Sequence, residues 1–174
     1  HEMTVTAETE TPRTDVYLAW RAVDWKDERY RHALNIAGRV LTRRLTHELR
    51  EQRGWVYSIR CEEDSGPDYL GNGRFFIRFS TEPARAHDAL KLAQKVVEEL
   101  VAHGPTDEEL NIVRRQYTNQ DAVARRTVAF WMHWLTGMQS RGDTLDGVRN
   151  LLPTYLSTTP EEVRDVLIRY ITPE

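Results

Sequence analysis

The stretch Leu49-Arg50-Glu51-Gln52-Arg53-Gly54-Trp55-Val56-Tyr57-Ser58 separates two kinds of pattern. Before it, Leu34, Ala37, Val40, Leu41, Leu45 and Leu49 recur at intervals of three and four, which makes one buried stripe on a long helix. Asp24 reads as its N-cap, with Asp27 and Glu28 in a first turn where negative charge suits the helix dipole. Gly54 ends the helix. After it, residues 55–61 and 69–80 read as strands around a turn-forming acidic segment at 62–68. In the second strand Phe75, Ile77 and Phe79 alternate with Arg74, Phe76 and Arg78, so one face is apolar and the other partly wet.

Working outward, residues 3–10 and 14–23 read as two further strands separated by Thr11-Pro12-Arg13. From Pro83 onward the spacing is helical: an apolar face from Ala86 to Val101 stops at His103-Gly104-Pro105, and Thr106-Asp107-Glu108-Glu109 opens the next helix as a capping box. Further helices are expected at 128–141, at 145–156 and at 160–170, the last capped by Thr159 with Pro160 in its first turn. Strand, strand, long helix, strand, strand and then helices imply an α+β two-layer sandwich, with a mixed, mostly antiparallel sheet and helices packed on one face. At 174 residues the chain is expected to be one domain spanning 1–174. It begins at His1 and is expected to be a fragment of a longer chain.

Composition narrows the function classes. Hydrophobic residues at 40% and charged residues at 29% belong to a globular protein. No apolar run reaches the roughly 20 residues of a membrane span. No signal peptide stands in the chain as given, which favours a cytoplasmic location. Net charge is −3 with both signs interspersed, so no broad basic surface suits nucleic acid. The single Cys61 forms neither an internal disulfide nor a cysteine metal site and reads as a small strand filler.

No self-contained catalytic centre is present. His1, His32, His47, His87, His103 and His133 form neither HExxH nor HxxEH, since the run from His47-Glu48 reaches Glu51 where a second histidine is needed. They read as surface or helix-capping histidines. Ser58, Ser65, Ser80, Ser140 and Ser157 lack the GxSxG elbow. Gly71-Asn72-Gly73 lies beside a strand rather than ahead of a helix, so it reads as a kink or bulge and not as a phosphate loop.

The opening stretch resembles the LRExxGxxY segment of the C-terminal, non-zinc domain of the pitrilysin, insulinase and mitochondrial-processing-peptidase family of zinc metallopeptidases. The likeness continues through the long helix before it, the GRFFIRFST strand, the GPTDEEL helix start and the TPEEV helix start. By the family's pattern a subunit has two related α+β domains, the first bearing HxxEH and zinc, the second an Arg and a Tyr that hydrogen-bond substrate backbone carbonyls. That pair falls on Arg50 and Tyr57.

The resemblance implies a substrate-binding half of a peptidase, with Arg50 and Tyr57 gripping peptide. No catalytic or metal residue and no cofactor belongs to this chain, which alone should be inactive; zinc lies in the partner. The implied partners are a zinc-bearing N-terminal domain or partner subunit, in a homo- or heterodimer, and a peptide substrate. The alternatives are a catalytically inactive scaffold or assembly subunit of the same fold, and an interaction module with no peptidase partner. Without the resemblance, Arg50 reads as paired with Glu48, Glu51 or another surface carboxylate and Tyr57 as a half-buried strand tyrosine. Phe130, Trp131, Trp134 and Met138 form an aromatic cluster at helical spacing that suits core or domain interface. Arg43-Arg44 and Arg125-Arg126 read as solvated faces or salt-bridge donors. An exposed apolar patch is expected on the side that meets a partner.

Overall fold

Alternating side chains set the sheet. The computed structural model describes residues 3–6, 12–24, 26–65 and 71–171. Strands β1 (Thr14–Arg21), β2 (Val56–Asp64) and β3 (Arg74–Thr81) form a sheet in the order β1-β3-β2, antiparallel at both pairings. Register places Val16 beside Phe79, Leu18 beside Ile77 and Trp20 beside Phe75, with Ile59 and Cys61 on the other flank of β3. Phe75, Ile77 and Phe79 are fully buried on that inner face. Each such side chain contributes about 1.5 to 3 kcal/mol when removed from water. Asp15, Tyr17, Ala19, Arg21, Arg60, Glu62, Arg74 and Arg78 occupy the opposite face and are exposed.

Residues 3–6 adopt no strand, and the remainder of the strand expected at 3–10 lies outside the described residues. Strand β3 begins at Arg74, five residues later than the alternation suggests. Gly71-Asn72-Gly73 therefore precedes the strand, as a kink. A Cβ on Gly73 would stand 1.8 Å from the Val23 carbonyl oxygen, so only glycine fits there.

Helix α1 (Glu28–Leu45) is the central element. The spacing predicts one stripe, but His32, Ala33, Leu34, Ile36, Ala37, Gly38, Val40 and Leu41 are all buried, because α1 is packed against β2 and four other helices. These are α2 (Ala86–His103), α3 (Asp107–Ala124), α6 (Leu145–Ser157) and α7 (Pro160–Tyr170). The helix starts later than expected. Asp27 occupies the N-cap position, while Asp24 accepts instead from the Gly71 amide at 2.9 Å.

The caps of α3 and α7 form as the four-residue motifs dictate: Thr106 with Glu109 and Thr159 with Glu162 are reciprocal capping boxes. The helix expected at 128–141 is broken. Helix α4 (Val128–Leu135) and α5 (Met138–Arg141) are separated at Gly137, whose φ is +71°. No residue of α4 is buried, so its aromatic cluster is not core. Val128, Met132 and Leu135 lie open at 78%, 61% and 49% exposure, which places an apolar patch there.

Candidate functional site

Leu49 is fully buried and anchors the end of the long helix. Over Thr46–Glu51 the helix widens into a π-turn: the Gln52 amide donates to the His47 carbonyl at 2.9 Å, five residues back. The Trp55 amide then donates to the Leu49 carbonyl at 2.8 Å, and the Gly54 amide to the Arg50 carbonyl at 2.9 Å. Gly54 closes this turn with φ +62°, a conformation that glycine adopts without steric penalty. The chain leaves directly into β2.

Strand β2 contains a second irregularity. Val56 pairs with Thr81 and Ile59 with Phe79, so three steps on β2 match two on β3. The extra residue is a β-bulge, and it leaves Tyr57 and Ser58 both exposed between two buried neighbours. Tyr57 is 84% exposed, well beyond a half-buried strand tyrosine.

These two irregularities bring Arg50 and Tyr57 together. The Arg50 guanidinium lies 5.6 Å from the centre of the Tyr57 ring. The carboxylates next to Arg50 in sequence are engaged elsewhere: Glu48 accepts from Arg53 at 2.7 Å and Glu51 faces His47 at 3.1 Å. Arg53 also donates to the Glu48 carbonyl at 2.8 Å, bracing the π-turn. Among the described residues Arg50 forms no ion pair, and its guanidinium, with five donors, is exposed beside a phenol.

Two other arginines are committed to structure. Arg44 binds Glu109 through two hydrogen bonds of 2.7 and 2.8 Å. Arg125 pairs with Asp121 at 2.6 Å. A groove of about 1040 Å³ runs between α1, β2 and α3, with Arg39, Arg43, Glu62 and Glu63 among its lining residues. Burial pushes the Cys61 thiol up to about 12, which leaves it protonated and unreactive.

The described residues do not fit a zinc site. No group of three His, Cys, Asp or Glu side chains among them is placed to hold a metal ion. His32 is not a surface residue as its type suggested. It is buried beneath Tyr155, with ring centres 4.5 Å apart. No described helix is long and apolar enough to cross a membrane.

A family model described as the peptidase M16 inactive domain matches residues 1–117. The chain belongs to the peptidase M16 inactive-domain family. An uncharacterized zinc protease of Streptomyces coelicolor is 26% identical over 160 residues, covering 90% of this chain and 34% of that protein. The solved peptidase M16 inactive domain from Pseudomonas fluorescens superposes with a TM-score of 0.81 at 23% identity, covering 93% of this chain and 39% of the other. A protease from Helicobacter pylori superposes at 0.78 with 16% identity, over 91% of this chain and 38% of the other. The chain thus spans little more than a third of the length of these relatives. The α+β sandwich, with its helices on one side of the sheet, is the M16 C-terminal domain fold.

Proposed function

We propose that this chain is one domain of a longer zinc metallopeptidase and serves as its substrate-holding half, with Arg50 and Tyr57 gripping the backbone of a peptide that is hydrolysed on another domain or subunit. The observation that carries this reading is the open Arg50–Tyr57 pair, assembled by a π-turn and a bulge and left free of any carboxylate among the described residues. Guanidinium is always charged and rigidly forked, and a phenol is a donor on a stiff arm. Both suit peptide carbonyls. The charge-assisted bond from the guanidinium contributes on the order of 1.5 to 3 kcal/mol, and the neutral bond from the phenol about 0.5 to 1.5 kcal/mol.

The test is turnover of a peptide by the complete two-domain protein carrying Arg50→Ala or Tyr57→Phe. Arg50→Ala is expected to lower kcat/KM by about tenfold to a hundredfold and Tyr57→Phe by about twofold to tenfold. Unchanged turnover in both would remove the assignment.

A bracing role in a larger assembly is the second reading. It is favoured by α4, whose Val128, Met132 and Leu135 lie open on a helix with no buried residue and suit contact with another protein. Replacing Met132 and Leu135 with Gln separates the two. A pure brace loses assembly and has no need of Arg50 or Tyr57.

A further inference from the structure

The outer face of the sheet carries several exposed charges. Arg60 on β2 and Arg78 on β3 are register partners, directly opposite one another. Like charges so placed repel across a Cβ separation of about 5 Å. Relief within the chain is slight. Glu62 lies 3.8 Å from Arg60, at the limit of an ion pair, and no carboxylate among the described residues lies within ion-pair distance of Arg78, although its charge is felt by Asp15 as the smallest of that carboxylate's stabilising contacts. Asp15, on the same face, is held by Ser80 and Arg13, and Asp64 is held by Arg74 at 2.7 Å. Arg78 instead rests over the ring of Tyr17, its register partner on β1, at 5.3 Å. Both arginines and Tyr17 are exposed, on a chain whose net charge is −3.

We propose that Arg60 and Arg78, with Tyr17 steadying Arg78, receive an acidic side chain of the peptide that Arg50 and Tyr57 hold. This rests on the peptide-holding reading above. Stacking on a phenol fixes the plane of a guanidinium and leaves its edge free for a carboxylate fork. Tyr57 and Arg60 are three residues apart on one strand, at most about 11 Å of backbone. An extended peptide advances about 3.4 Å per residue. The acidic residue therefore falls about three positions from the carbonyls held by Arg50 and Tyr57. The substrate class is a peptide with Asp or Glu at that spacing, in place of one with neutral or basic side chains.

The test titrates the 174-residue chain into two labelled extended peptides, identical except that one carries Glu and the other Gln at alternate positions, and follows fluorescence anisotropy at low salt. The Glu peptide is expected to bind about tenfold more tightly, with the advantage shrinking as salt is added. In the double variant Arg60→Gln, Arg78→Gln the advantage disappears while the Gln peptide binds as before. Circular dichroism checks that this surface variant is folded. Arg50→Ala with Tyr57→Phe is expected to weaken both peptides equally and leave their ratio intact. Equal binding of the two peptides by the unaltered chain, still dependent on Arg50 and Tyr57, overturns this inference and leaves the peptide-holding reading standing. A preference that survives the double variant overturns it too. Binding of neither peptide overturns both.

Discussion

Arg50 and Tyr57 face one another across the Gly54 turn with guanidinium and ring centre 5.6 Å apart. Both side chains are exposed. A cation–π contact at such a site contributes about 0.5 to 1 kcal/mol. Arg50→Ala and Tyr57→Phe should each therefore leave the unfolding free energy of the isolated chain within about 1 kcal/mol of the unaltered one. Urea unfolding followed by circular dichroism measures this. A loss above about 2 kcal/mol would make the pair a structural brace and remove the reason to give it a binding role.

Two glycines, one within α1 and one at this turn, predict different costs of substitution. A Cβ on Gly38 would meet the Cys61 carbonyl oxygen at 2.7 Å and the Phe75 ring at 3.3 Å, because α1 lies almost against β2 at that point. The same approach lets the Thr42 hydroxyl accept from the Cys61 amide at 3.2 Å. Gly38→Ala must push helix and strand apart and should destabilise by about 2 to 4 kcal/mol. A Cβ on Gly54 meets nothing within 4 Å. Only its positive φ is lost to alanine, at about 1 kcal/mol. Thermal unfolding of the two variants side by side checks the order, and a reversal would mean that the helix end, and not the helix–strand contact, limits stability.

What the sequence made legible was local. The capping boxes at Thr106 and Thr159 each need only four residues, and both form where the motif stands. The alternation in β3 is equally self-contained, and its inner face is as expected. Features set by distant partners were not legible. The β2 bulge arises from how Val56 and Ile59 meet Thr81 and Phe79, and no residue in β2 announces it. His32 has the spacing of a surface position on a one-stripe helix, yet α6 closes over it. For the site, the residue types and the glycine between them could be read from the chain, whereas the π-turn and bulge that aim them could not.

Arg44 and Glu109 tie the end of α1 to the start of α3. Their side chains are 22% and 17% exposed and are joined by two short hydrogen bonds. Burial pushes the Glu109 carboxyl up, but the bonds from Arg44 and from the Thr106 amide outweigh burial and hold it below its ordinary value. Such a group stabilises the fold above the ordinary carboxylate pKa of about 4.3 and ceases to do so as pH falls through its native value. Arg44→Met should lower stability by about 2 to 3 kcal/mol at pH 7 and flatten the loss of stability below pH 4.3. Urea midpoints from pH 7 downward test both parts. An unchanged acid limb would show that Thr106 alone, through its amide, sets the Glu109 carboxyl.

His32 gives an acid response of its own at higher pH. It is 3% exposed, with Tyr155 at 4.5 Å on one side and Tyr155 in turn stacked on Tyr117 at 4.1 Å. Arg39 closes the stack over Tyr117. Nδ1 of His32 has no hydrogen-bond partner. Burial, with a smaller contribution from Arg31, pushes the imidazole down to about 4. The unfolded chain therefore takes up this proton near pH 6.5, while the native protein refuses it until about pH 4. Stability linked to His32 is intact above pH 6.5 and declines as pH falls towards 4, by on the order of 3 kcal/mol. Glu63, whose carboxyl is raised by burial, runs in the opposite sense, but it is present in both proteins when unaltered chain and variant are compared. His32→Leu removes the titrating group and the orphaned nitrogen together. The variant should match or exceed the unaltered chain at pH 7, and the gap in its favour should widen between pH 6.5 and 4. Parallel stability curves across that range would assign the acid response to another group.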